Sequence, residues 1–331
     1  MPASYLHQSI ATDTLKDLNT FEGFSTAAFL AGSEGPDPFF FSLIPKKDAV
    51  RPPEVGHLLH KTKTGDFLKA LILASINDPV LKSYTLGYLS HYGTDTIFHP
   101  YIYTKSFMED GTYSGDKHCT FEHVLDGYTY RKRGHESGTP THMLGYIKMT
   151  SSEKERVAGL LSSALAQVHP DHALTRREVV KSFDDAIKLC RLLKKESGKK
   201  FSILISIAEK TPIKGPMLSH IVPDDTMENI ASKEGYSHMG FYWDDILNAD
   251  HNTWRSYWEP DTPRNEGYEE LYTLAVSRGA AFVSAALGYF KGALSLEALL
   301  GTIGDMSFDS GLPWQDTKPI GSSENEESKD N

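Results

Sequence analysis

SHYGTDTIFHP, residues 90–100, places His91, Asp95 and His99 at four-residue steps and ends on Pro100. A four-residue step is slightly more than one helical turn, so the three side chains lie roughly above one another. Imidazole and carboxylate are both ordinary zinc ligands. Upstream, Asp78 can cap a helix and Pro79 suits its first position. Leu81, Tyr84, Leu86, Leu89 and Tyr92 then recur at near-helical spacing. The pattern predicts a helix from Pro79 to about His99, because a proline disfavours helical geometry in the residue before it.

KHCTFEH, residues 117–123, repeats the arrangement with His118 and Glu122. The helix it opens should run through HCTFEHVLDGYTYRKRG and close on basic residues and Gly134. One His-Asp or His-Glu pair is ordinarily a solvated helix face. Two such pairs between residues 91 and 122, with His99 between them, point instead to shared ions.

The rest of the chain also reads as helices. Ser152 with Glu155 and Thr175 with Glu178 form capping-box patterns that open helices over 152–168 and 176–196. Another long helix is expected from Tyr268 to Lys291. Residues 109–117 and 134–142 read as loops, and 211–226 and 248–266 as longer irregular segments. No repeat stands out, and between Pro79 and Phe98 there is no strong strand-like alternation. The expectation is an all-α fold: one multi-helix domain over residues 1–315 and an acidic, disordered tail over 316–331.

Composition narrows the function. A net charge of −10 opposes nonspecific nucleic-acid binding and attachment to an anionic membrane. Two cysteines, Cys119 and Cys190, cannot build a disulfide framework. The first residues lack a basic segment followed by an apolar one, so the expected location is cytoplasmic. The apolar stretch FLKALILASI is too short to span a bilayer, and no transmembrane segment is expected. No G-x-G-x-x-G, P-loop or G-x-S-x-G pattern supports a nucleotide cradle or a serine hydrolase.

Other residues have plainer readings. His123 reads as a residue behind the ligands or at the surface rather than a ligand, His135, His142, His169 and His172 as solvated, and Cys119 as a small buried side chain. His238 lies in YSHMGFYWDD, residues 236–245, either a packed aromatic patch or a cleft wall. Trp254 and Trp258 either cover the site or fill the core.

HYGTDTIFHP followed by HCTFEH resembles the H-Y-x-x-D…H-P and H-x-x-x-E segments of the zinc-dependent phospholipases C, whose fold is shared by the S1/P1-type nucleases. His7 near the start, Asp37 in GPDPFFF, the histidines of GHLLHKTKTGDF and the late LNADHNTW fit more loosely. The resemblance implies an all-α fold of the phospholipase C / P1 nuclease type and a cluster of two to three zinc ions. It implies one ion on Asp37, a histidine of GHLLH, His91 and Asp95. A second would lie on His99, His118 and Glu122. A third would take His7, a bridging Asp95 and the N-terminal amine. Spacing does not choose between His57 and His60; His60 is preferred. The family places two more residues between its bridging Asp and the next His, and opens its mature chain with Trp where this one has Met1-Pro2.

The function so implied is a zinc-dependent phosphoesterase, a phospholipase C-like phosphodiesterase using metal-activated water, with Asp37 and Asp95 as catalytic carboxylates. Its substrate would be a phosphodiester; phospholipid rests on the resemblance alone, and no stable nucleic-acid complex is expected. The alternatives are a single-strand nuclease of the same fold and a non-catalytic, zinc-stabilised helical protein. The sequence carries no signal for oligomeric state.

Overall fold

The computed structural model describes residues 4–16, 18–42, 50–134, 148–193 and 245–320. Its helices are α1 (Ser4–Thr14), α2 (Thr26–Gly32), α3 (Pro52–Lys61), α4 (Thr64–Ser75), α5 (Pro79–Lys105), α6 (Gly115–Lys132), α7 (Ser151–Val168), α8 (Arg176–Leu193), α9 (Tyr268–Phe290) and α10 (Leu296–Ile303). A short 3₁₀ turn, Asp37–Phe41, follows α2. The expected all-α fold is what the described residues form.

Helix α5 is the axis of the molecule. Asp78 starts it, its carboxylate accepting from the amides of Val80 (2.9 Å) and Leu81 (3.1 Å). Every residue from Ser83 to Tyr103 is buried. A helix apolar on only one side could not do this; α5 is enclosed by other elements all round. Helix α9 and helix α2 lie against it. The approach of α2 is close because Gly87 has no side chain: a Cβ there would sit 1.9 Å from the Phe29 carbonyl oxygen.

Two apolar clusters divide α5 between them. The larger takes Tyr84, Tyr88, Leu89 and Tyr92, with residues of α2, α4, α7, α8 and α9. The smaller takes Ile97, Phe98, Tyr101 and Ile102, with Leu6, Ile10, Phe121, Val124 and Trp254. The changeover falls between Tyr92 and Ile97, the stretch that carries Asp95. The polar stripe therefore lies at the seam of two cores.

Helix α9 is the one helix among the described residues long and apolar enough to cross a membrane by length and composition. Its Leu271, Ala275, Phe282, Val283, Ala286 and Leu287 are buried within the protein.

Four local expectations need correction. Helix α5 does not end at His99 but runs through Pro100 to Lys105. Pro100 offers no N–H to the Thr96 carbonyl one turn back. Arg278 of α9 takes that role, its Nη1 donating to the Thr96 carbonyl at 3.4 Å and to its hydroxyl at 3.2 Å. The loop expected over 109–117 ends at Ser114, whose hydroxyl accepts from the Lys117 amide and starts α6 early. The box that opens α7 is Thr150 with Glu153, not Ser152 with Glu155. The irregular segment 248–266 contains an antiparallel hairpin, β1 (Trp254–Ser256) and β2 (Glu259–Arg264). The Thr175–Glu178 box forms as expected. Met1 and Pro2, most of the 134–142 loop, the 211–226 segment, His135, His142, His238 and residues 321–331 lie outside the described residues.

Candidate metal centre

Five segments bring eight side chains to the seam. Helix α5 supplies His91, Asp95 and His99; α6 supplies His118 and Glu122; α1 supplies His7; α3 supplies His60; the 3₁₀ turn supplies Asp37. All eight are buried, from 0% exposed at His91 to 6% at His99 and His118. Charged groups are rarely this deep unless paired or coordinating.

The turn that carries Asp37 past His91 is tight. Gly35 adopts φ +53°, and a Cβ there would sit 2.2 Å from His91 Cδ2. Glycine is required twice, for the left-handed backbone and for the space.

Backbone carbonyls fix three of the imidazoles. His60 Nδ1 meets the Gly56 carbonyl (2.7 Å), His91 Nδ1 the Ser33 carbonyl (3.0 Å) and His99 Nδ1 the Phe308 carbonyl (3.1 Å). A carbonyl only accepts, so each Nδ1 carries the proton and donates it. With Nδ1 so engaged, Nε2 is the ring nitrogen that each of the three turns to the centre, the one left to meet a metal ion. His60, not His57, turns inward; His57 is exposed and its ring lies against Phe40.

Asp95 is the hub. Its Oδ1 lies 3.2 Å from His7 Nε2 and 3.6 Å from His99 Nε2. Its Oδ2 lies 2.9 Å from His91 Nε2 and 3.6 Å from His60 Nε2. Asp37 faces the second pair, with Oδ1 3.3 Å from His60 Nε2 and Oδ2 4.0 Å from His91 Nε2. Glu122 Oε1 is 3.1 Å from His118 Nε2 and 3.3 Å from His99 Nε2.

Burial alone would raise the Asp95 pKa. The charges of His91, His99 and His7 overcome it and hold the carboxyl well below its usual range. Burial also opposes a charge on His99, yet Asp95 and Glu122 push its pKa up to about 10. The carboxylates thus draw positive charge into the centre. A proton and a metal ion compete for the same imidazole lone pair, so a metal bound there would release the proton.

Three groups of ligand atoms, each within 4.8 Å of one another, could hold an ion: His7, Asp37 and His91; His60, His91 and Asp95; His99, His118 and Glu122. The donor set is the nitrogen and oxygen chemistry of zinc. His91 Nε2 and Asp95 Oδ2 lie 2.9 Å apart, yet neither makes a hydrogen bond, to the other or to any other group. Such atoms are costly to bury unless something else satisfies them. His7 stands near both Asp95 and the Asp37–His91 pair, a wider reach than the Asp95 partnership that the resemblance implied.

A sequence model of the zinc-dependent phospholipase C family matches residues 6–171, which include all eight side chains. The chain belongs to the zinc-dependent phospholipase C family. Searches of curated proteins and of solved structures return no match. The phospholipase C match ends well before the loop around Phe308 and Asp309, which closes the His99 side of the centre.

Reading the sequence overlooked four residues here. Phe308 supplies its carbonyl to His99, and its ring packs on His60 and His91 at 5.2 and 5.7 Å between centroids. Asp309 is buried with Oδ1 3.9 Å from His99 Nδ1. Glu34 and Asp126, both buried, hold α1. Only Asp126 had a visible signal, since it continues the four-residue step of His118 and Glu122. Trp254 fills the smaller core, whereas half-buried Trp258 packs on Tyr103, itself 4.6 Å from the His118 ring. His169, expected in solvent, is buried.

Proposed function

We propose that this chain is a zinc-dependent phosphodiesterase of the phospholipase C type that hydrolyses a phosphate ester with water. The observation that carries the reading is Asp95, one buried carboxylate whose two oxygens face two different sets of imidazoles. That is the geometry of a carboxylate shared between ions. His60, His91, Asp37 and Asp95 would hold one zinc; His99, His118 and Glu122 a second; His7 with Asp95 a third. Bound zinc would neutralise charge on the phosphate oxygens and lower the pKa of water from 15.7 to roughly 7.

The protein groups do the rest. The Nδ1–carbonyl bonds of His60, His91 and His99 keep three Nε2 atoms aimed at the Asp95 carboxylate, two at its Oδ2 and one at its Oδ1. Asp37, 3% exposed, is the group to take a proton from attacking water. Aspartate is a weak base in bulk water, and a desolvated, metal-organised setting is what would suit it to the task. Phospholipid is the favoured substrate. Tyr103, Tyr113 and Trp258 form an aromatic wall beside His118, with Tyr103 at 5.3 Å from Tyr113 and 5.0 Å from Trp258. Such a wall suits an ester with a large apolar part.

Zinc content and hydrolysis of a generic phosphodiester, measured on one preparation before and after chelation, test this reading. Activity should vanish on chelation and return with zinc. Asp95→Asn and His118→Ala should each lose bound zinc and nearly all activity. Normal zinc and normal rates in either variant would refute the assignment. Phosphatidylcholine should be cleaved in preference to single-stranded DNA; the reverse order would favour a nuclease.

A further inference from the structure

Helix α6 carries three buried acidic or basic groups at four-residue steps: His118, Glu122 and Asp126. The first two face the metal centre. Asp126 faces α1 instead. Its Oδ1 accepts from the Leu6 amide at 2.8 Å and its Oδ2 from the Tyr5 amide at 3.1 Å. These amides belong to the first turn of α1, where N–H groups have no partner within the helix. A carboxylate there also meets the positive end of the helix dipole.

The residue that caps the end of α6 grips α1 further along. Arg133, seven residues after Asp126, donates to the Ser9 carbonyl at 3.2 Å and pairs with Asp13. Acid therefore meets the start of α1 and base its later turns. On another side Glu34 accepts from the Ser4 hydroxyl at 2.8 Å and from the Gln8 side-chain amide. The residue directly after the Asp126 clasp is His7, whose Nε2 is 3.2 Å from Asp95 Oδ1.

We propose that Asp126 is a positioning residue that fastens α1 to α6 and so holds His7 at the metal centre. It touches no reacting atom. Through it, the helix that supplies His118 and Glu122 also sets where His7 stands. The inference rests on the reading of the His7 group as a cation site.

The test is a zinc titration with elemental analysis on the full chain, comparing wild type, Asp126→Ala, His7→Ala and the double variant. Losing a group hydrogen-bonded directly to a metal ligand costs roughly 10–100-fold in metal affinity. Asp126 holds the backbone beside the ligand instead, so Asp126→Ala should weaken one zinc by up to about that factor and leave the His118–Glu122 ion bound. It should speed hydrogen exchange at the Tyr5 and Leu6 amides. In the double variant the loss should match that of His7→Ala alone, because both changes disable one group. Full additivity, or unchanged zinc affinity in Asp126→Ala, would overturn the proposal. If wild type binds no zinc, the reading of the centre fails rather than the clasp, which the exchange rates still judge. Should the alanine variant not fold, Asp126→Asn, which keeps one acceptor oxygen, should give a smaller loss of the same zinc; no loss there would equally overturn it.

Discussion

Glu34 shows what burial does to one carboxyl. It is 0% exposed, and burial pushes its pKa from 4.5 up to about 8, against the hydrogen bonds from Ser4 and Gln8. The folded chain therefore keeps a proton that the unfolded chain releases. The stability this contributes is fully present below the unfolded value and is lost as pH rises through the folded one. Glu34→Gln keeps the shape and cannot ionise. Its stability relative to wild type should rise between about pH 4.5 and about pH 8, as read from urea unfolding at each pH. A difference that stays flat would mean Glu34 is ionised in the fold. Nothing in the text of GSEGPDP announces this, because a carboxyl's neutrality depends on α1 closing over it. His60 over His57 is a similar case. Three-residue spacing puts both on one side of α3, and only the packing of α3 against the Asp37 turn turns His60 inward.

Among the elements, α5 shows where local propensity yields to its surroundings. The proline rule gives a stop at His99, and the helix continues because Arg278 satisfies the carbonyl that Pro100 leaves open. Removing the arginine should strand a buried acceptor, at about 1–3 kcal/mol. Arg278→Met should therefore lower unfolding stability by that order. In a Pro100→Ala background the cost should shrink, since residue 100 then supplies the missing N–H. Equal costs in both backgrounds would show that Arg278 acts elsewhere. The start of α5 was legible from Asp78-Pro79, and α9 was expected over Tyr268 to Lys291, close to its observed Tyr268–Phe290. The hairpin at Trp254 was not. Its second strand, EPDTPR, carries two prolines and no apolar alternation, and it is held by pairing with β1 rather than by its own residues.

At the scale of the whole molecule, one polar seam joins two apolar cores. The four-residue steps of α5 and α6 announced five of the eight inward-facing side chains, since a helix fixes the relative direction of its own residues. His7, Asp37 and His60 come from separate segments, and sequence alone ties them to the others only through family resemblance. The carbonyls of Ser33, Gly56 and Phe308 left no trace in the text, because every residue has one. A centre built from five segments should also tie folding to its ions. A ligand bound only by the folded state stabilises it in proportion to the logarithm of its concentration over Kd. The melting temperature should therefore rise with added zinc and fall on chelation, and a melting temperature indifferent to zinc would argue against a cluster that bridges the two cores. The most direct measurement is anomalous X-ray scattering at the zinc edge from crystals grown with the metal. The account predicts peaks on both sides of the Asp95 carboxylate, at about 2.0–2.2 Å from the histidine Nε2 and carboxylate oxygen atoms. Peaks only at the protein surface, or none within this pocket, would contradict it.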